Sequence, residues 1–104
     1  MDLSKVKTAL GLGNVEWERH VLERLLKRTI PRNAVIEVLK TGECIEDYPG
    51  DRPFPSALFL GWHRGKPLHV VVALDEVAPR IFIITAYEPD LDHFESDFRT
   101  RRRR

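Results

Sequence analysis

The 104-residue sequence predicts an α+β fold, with N-terminal helices packed on a curved four-stranded antiparallel sheet (a meander) and a short C-terminal helix. Three observations carry this. Leu68–Leu74 and Arg80–Tyr87 are dense in Val, Ile, Phe and Thr, residues that suit a pleated, half-buried surface. Between them, the polar, proline-containing segment Asp75–Pro79 makes the pair a β-hairpin with a loop of about five residues. Helical periodicity lies before Gly42 and strand character mostly after it, and that segregation argues for α+β.

Leu3, Val6 and Leu10 recur at helical spacing, giving a short amphipathic helix over residues 2–10 stopped by Gly11 and Gly13. The Gly-Leu-Gly there has no strand before it and no third glycine in place, so it is not a dinucleotide-binding fingerprint. Residues 15–29 form the clearest helix. Asn14 suits the N-cap, Glu16 and Glu18 suit the positive end, and Lys27 and Arg28 suit the negative end. Val21, Leu22, Leu25 and Leu26 supply the apolar stripe. His20, Arg24 and Arg28 recur every four residues along one flank, with Trp17 near it.

A second helix runs from about Pro31 to Lys40. Pro31 suits the first helical position, Ala34, Val35, Val38 and Leu39 form the buried side, and Gly42 is expected as a left-handed C-cap. Glu43–Tyr48 reads as a short edge strand and the proline-rich Pro49–Pro55 as a loop. Ser56–His63 reads as a strand, with Leu58 and Leu60 on one face and Ala57, Phe59 and Gly61 on the other. Arg64-Gly65 is a turn. Leu91, Phe94 and Phe98 are spaced for a short helix, followed by a frayed basic tail, Arg101–Arg104. Both faces of the hairpin are largely apolar, so the helices should cover one face, and tails, loops or a partner part of the other.

The length fits one domain over residues 1–104, with its core at about 15–90. A hydrophobic fraction of 42% and a charged fraction of 32% fit a soluble globular protein. No apolar run approaches the ~20 residues of a membrane span, and MDLSKVKTAL lacks the apolar centre of a secretory signal. The single Cys44 excludes an intramolecular disulfide, and a cytoplasmic setting is expected. The net charge is +1 but unevenly spread. Arg19, Arg24, Lys27, Arg28 and Arg32 crowd one segment, and Arg99 and Arg101–Arg104 form the tail. Acids gather at Glu43, Glu46, Asp47 and Asp51 and again over Glu88–Asp97. Such runs are either a solvated face or a patch for phosphates.

There is no paired-cysteine zinc motif, phosphate-binding loop or nucleophile elbow. His20, His63, His69 and His93 have no metal-ligand spacing, so neither metal nor cofactor is expected. Cys44 reads as a small buried hydrophobe. His69 shares a strand face with Val71 and Ala73, and Thr85 and Tyr87 share one with Ile81 and Ile83. These are packed residues or part of a site. His20, Arg24 and Arg28 offer an imidazole and two fixed cations. If that flank met the sheet near His69 or Tyr87, it would bring together the parts that metal-free RNA cleavage needs. Otherwise these residues pair with Glu16 and Glu23 on an exposed helix.

The spacing His20-x-x-x-Arg24-x-x-x-Arg28, then Ile30, the second helix, TGECIEDYP, LFLGWHRGKPLHVVVALD and IFIITAYEPD resemble the domain of unknown function 4258 family over Glu16–Asp90, with a similar tail at His93–Arg102. The layout is similar to small toxins of the RelE and barnase type. This resemblance implies a toxin-like, metal-free endoribonuclease acting on RNA. It puts His20, His69 and Tyr87 in catalysis, and Arg24, Arg28 and Thr85 on phosphate. The near-neutral charge departs from the strongly basic character of such toxins. The alternative is a non-catalytic protein-binding module whose exposed edge, Cys44–Tyr48, takes a strand from a small partner.

Overall fold

The structure, a computed structural model, describes residues 1–103, so Arg104 of the basic tail lies outside the described residues. Three helices and five strands follow in chain order: α1 (Leu3–Leu12), β1 (Val15–Trp17), α2 (Arg19–Lys27), α3 (Arg32–Thr41), β2 (Glu43–Tyr48), β3 (Ser56–His63), β4 (Lys66–Asp75) and β5 (Arg80–Tyr87). The sheet order is β1-β5-β4-β3-β2. Strands β2 to β5 form the antiparallel meander, and β1 adds a fifth strand parallel to β5, with Val15 opposite Ile81 and Trp17 opposite Ile83. The fold is α+β, but the sheet is mixed and five-stranded rather than four-stranded and antiparallel.

The fifth strand comes from residues whose charge pattern suggested the first turn of a helix. Val15 and Trp17 are strand formers, and Asn14 anchors them instead of capping a helix. Its carbonyl accepts from the Ile81 N–H at 2.9 Å, and its side-chain amide donates to the Pro79 carbonyl at 3.0 Å. Glu16 pairs across strands with Arg80. Helix α2 therefore starts only at Arg19, after Glu18.

Asp2 opens α1 by accepting from the backbone N–H groups of Ser4 and Lys5, and Gly13 closes it at φ 71°. Gly11 is carried inside the helix rather than ending it. Gly42 ends α3 in extended backbone, φ −79° and ψ −177°, not in the left-handed conformation. Glycine is required there for space, because a Cβ would collide with the carbonyl oxygens of Val38 and Leu60. The α3–β3 approach is equally close at Gly61, where a Cβ would meet Val38.

The helices cover one face of the sheet. Leu68, Val70, Val72 and Leu74 of β4 point into one core cluster with Val6, Val21, Leu25, Val35 and Val38. Burying each such side chain contributes about 1.5–3 kcal/mol. The intervening β4 residues, His69 among them, face the other way.

That second face is crossed by residues 88–103, which form a turn-rich strap in place of the expected C-terminal helix. Its backbone pairs across the strap rather than along a helix: the Glu95 N–H donates to the Thr100 carbonyl at 2.8 Å and the Arg102 N–H to the His93 carbonyl at 2.9 Å. Asp90 accepts from the N–H groups of Asp92 and His93, both at 3.0 Å, and Asp97 accepts from those of Arg99 and Thr100, both at 2.9 Å. These are the same bonds that Asp2 makes at the start of α1, but here no helix can continue, because Phe98 is left-handed at φ 57° and the backbone beyond is committed to pairing across the strap. Phe94 and Arg101 then form an antiparallel bridge. Among the described residues, no helix is long and apolar enough to cross a membrane.

Candidate functional site

The sequence-expected residues divide into three places. His69 and Tyr87 are opposite one another on β4 and β5. Their meeting depends on a bulge, since Val71 pairs with Thr85 and Val72 with Ile83, so that Ile84 is skipped. A bulge shifts the alternation by one residue. Ile81, Ile83 and Ala86 then face the helices, while Tyr87 joins His69 on the opposite face instead of sharing a face with Ile81 and Ile83.

His69 is fully buried, at 0% exposure. Its Nε2 lies 2.7 Å from the Phe98 carbonyl oxygen. A carbonyl can only accept, so Nε2 carries the hydrogen and Nδ1, 3.3 Å from the Tyr87 hydroxyl, is the acceptor of a neutral imidazole. Phe94 stacks edge-on against the ring at 4.6 Å. Burial pushes the His69 pKa below the usual imidazole value, against the opposing pull of the Phe98 carbonyl and the Glu46 charge. Burial likewise raises that of Tyr87. Arg101 closes the cluster from outside. It donates to both carboxylate oxygens of Glu46, at 2.6 and 2.9 Å, and sits 5.0 Å from the centre of the Phe94 ring. That fork holds the Glu46 pKa below the carboxylate range. In this arrangement both His69 nitrogens are engaged and the strap seals the ring from solvent.

Arg28 and Thr85 form the second pair. Strand β1 accompanies β5 only as far as Ile83, which leaves the β5 edge open beyond it. Arg28, capping α2, reaches that edge, and its Nη1 donates to Thr85 Oγ1 at 3.1 Å and to the Ala86 carbonyl at 2.9 Å. His20 and Arg24 do not join either pair. Both are exposed on α2. His20 Nδ1 lies 3.2 Å from Glu18, and Arg24 has no ion-pair partner among the described residues.

Arg28 also lines a cleft of about 520 Å³ between the α2–α3 junction and the β3–β4 turn. Its floor is apolar, made by Leu25, Leu26, Ile30, Pro31, Pro67 and Leu68, and its rim carries Arg28, Arg64, Lys66, His63 and Glu88. Lys66 and Glu88 approach to 3.9 Å. The rim thus holds three fixed cations against one carboxylate, beside a histidine. Helix α3 begins at this wall with no side-chain cap, which adds the partial positive charge of its free N–H groups. His63, Arg64, Lys66 and Glu88 were not legible as a group in the sequence. The two-residue turn Arg64-Gly65 was the available signal, because it places His63 directly opposite Lys66.

Among the described residues, no group of three His, Cys, Asp or Glu side chains is arranged to hold a metal ion. No curated protein and no solved structure matches the chain. One family comparison does match, over residues 17–88. That span runs from β1 through both helices and the meander to Glu88, and so includes every rim residue of the cleft. Matched over more than half its length, the chain belongs to the domain of unknown function (DUF4258) family.

Proposed function

We propose that this domain is a toxin-like endoribonuclease that uses side chains alone, and that its reaction centre is the cleft at the α2–α3 junction. One observation carries the reading: Arg28, Arg64 and Lys66 surround the same cleft as His63 and Glu88. RNA cleavage without a metal requires a base, an acid and fixed cations at the phosphate, and this rim offers all three. Glu88 takes the proton of the ribose 2′-hydroxyl, and the 2′ oxygen attacks phosphorus. The bond to the 5′ oxygen breaks, and protonated His63 gives its proton to that leaving oxygen. The products are a 2′,3′-cyclic phosphate and a 5′-hydroxyl end, and the cations stabilise the charge that builds on the phosphoryl oxygens. The expected cytoplasmic setting goes with a role on cellular RNA.

The other reading, a module that binds a partner strand at the β2 edge, has less support. Strand β2 is bulged between Cys44 and Glu46 and carries Glu43, Glu46 and Asp47. Bulges and charge are the devices that keep an edge from pairing.

The test is incubation of the folded protein with RNA in the presence of a chelator, followed by analysis of the ends. Cyclic phosphate and 5′-hydroxyl termini are expected, with His63→Ala and Glu88→Gln each slowing cleavage by about 10²–10⁴-fold. Intact RNA, or cleavage that both substitutions leave untouched, overturns the reading.

A further inference from the structure

Resting on that reading, we infer that the cleft takes an internal stretch of single-stranded RNA, and that Arg24 and Lys27 hold the phosphates flanking the one in the cleft. Three independent features lead there.

The first is the shape and lining of the cleft. A volume of about 520 Å³ has room for a nucleotide-sized group. The floor is apolar, and one of its residues, Leu26, is left 82% exposed. An unstacked base can cover such a surface, whereas a duplex keeps its bases stacked inside and presents only backbone and groove edges.

The second is the disposition of cations. Arg19, Arg80, Arg99, Arg101 and Arg102 are each paired with a carboxylate. Arg24 and Lys27, in the helical turn leading to Arg28, are exposed and have no ion-pair partner among the described residues. Arg24 and Arg28 are one turn apart on the same flank, a rise of about 6 Å, close to the separation of neighbouring phosphates on an extended strand. These two unpaired cations, Arg24 and Lys27, therefore continue the line of the cleft along α2.

The third is backbone conformation. Among the described residues, three non-glycine residues have positive φ: Thr29 at 58°, Arg64 at 53° and Phe98 at 57°. Two of them, Thr29 and Arg64, line the cleft. Positive φ is unusual for a β-branched residue, and a two-residue turn with positive φ at both centres favours Asn or Gly at the position Arg64 holds. Such strain concentrates at ligand sites. The residue that would relax the turn lacks the guanidinium that Arg64 extends over the cleft rim.

The experiment measures binding by fluorescence anisotropy, using 2′-O-methyl oligonucleotides that cannot be cleaved: a 12-residue single strand, its duplex, and a dinucleotide. The single strand is expected to bind at least tenfold tighter than either of the others. The paired substitution Arg24→Gln/Lys27→Gln should lower single-strand affinity about tenfold and shrink its advantage over the dinucleotide. It should also reduce the slope of log affinity against log salt by about 1.4, the value for two lost phosphate contacts on a single strand. Arg64→Asn should raise the Tm while weakening binding, which a purely structural arginine would not do. Duplex binding as tight as single-strand binding, or a salt slope untouched by the paired substitution, overturns the inference. Cleavage of RNA by the wild type alongside that result would leave the ribonuclease reading standing, whereas no binding and no cleavage would remove both.

Discussion

The His69 imidazole and the Tyr87 hydroxyl meet at 3.3 Å across β4 and β5, beneath a strap whose Phe98 carbonyl takes the other ring nitrogen at 2.7 Å. The neutral ring is favoured because burial denies a charged imidazole its solvent, and in that form Nδ1 accepts from the Tyr87 hydroxyl. The sign of the pH effect follows. Burial lowers the folded-state pKa, so the unfolded chain takes up a proton as the pH falls through about 6.5 while the folded chain does not. Stability is fully present above that pH and declines below it. The groups facing the ring are Tyr87, Glu46 and Arg101. The urea midpoint of the wild type should therefore fall between pH 7 and pH 5.5, above the range where carboxylates titrate. His69→Phe should flatten that part of the profile, and an equally steep profile in the variant would show that another group is responsible.

Arg101 holds the strap through its fork on Glu46 and its contact with the Phe94 ring. The guanidinium is half exposed, whereas the Glu46 side chain is only 18% exposed, so solvent screens part of the attraction. Arg101→Ala should cost about 1 kcal/mol. The loss should be local, with faster hydrogen exchange and proteolysis after residue 90 than in the sheet. Uniform destabilisation without preferential cleavage of the strap would show that Arg101 does not fasten it.

The departures from the sequence reading have physical causes at particular residues. Strands β2 to β5 were legible because branched and aromatic residues alternate there, between breakers at Gly42, Pro49–Pro55 and Arg64-Gly65. Strand β1 was not, because three residues between Asn14 and Glu18 are too few to show a period, and the acids on either side of Trp17 imitate the start of a helix. The spacing of Leu91, Phe94 and Phe98 suggested a helix, but residues 93–95 pair their backbone with residues 100–102 and Phe98 turns left-handed between them, which no apolar spacing encodes. The candidate site was legible only in part. Arg28 with Thr85 and His69 with Tyr87 do meet, as two separate pairs, while His20 and Arg24 meet neither. The cleft has no signature in the sequence, because its rim is gathered from α2, the α2–α3 link, the β3–β4 turn and the residue after β5, segments whose proximity no local pattern encodes.

Gly42 shows how closely α3 lies on the sheet. Its backbone is extended, so alanine meets no conformational penalty there and the whole effect is steric. A Cβ would strike two backbone oxygens, which cannot turn aside as a side chain can. Gly42→Ala should cost about 2–3 kcal/mol through the forced shift of α3 from β3, read as a lower urea midpoint. Gly50→Ala, with open space around the Cβ position, serves as the control and should leave the midpoint nearly unchanged.

Arg28 stands between two roles, because it caps the open β5 edge and lines the cleft. Arg28→Lys separates them. Lysine keeps the charge but loses the planar fork that reaches Thr85 and Ala86. If the position served only the edge, the substitution would lower stability and leave the chemistry alone. Under the ribonuclease reading, the ammonium can no longer be held by β5 and aimed at the phosphate together. RNA cleavage should then fall by about 10–100-fold while the urea midpoint moves by no more than one hydrogen bond is worth, about 1 kcal/mol. Thr85→Val tests the same geometry from the other side. It removes one acceptor, leaves the Ala86 carbonyl in place, and should lower cleavage less than Arg28→Lys does. A Thr85→Val loss equal to or larger than that of Arg28→Lys would point to the Thr85 hydroxyl, rather than the guanidinium it orients, as the group that meets the substrate.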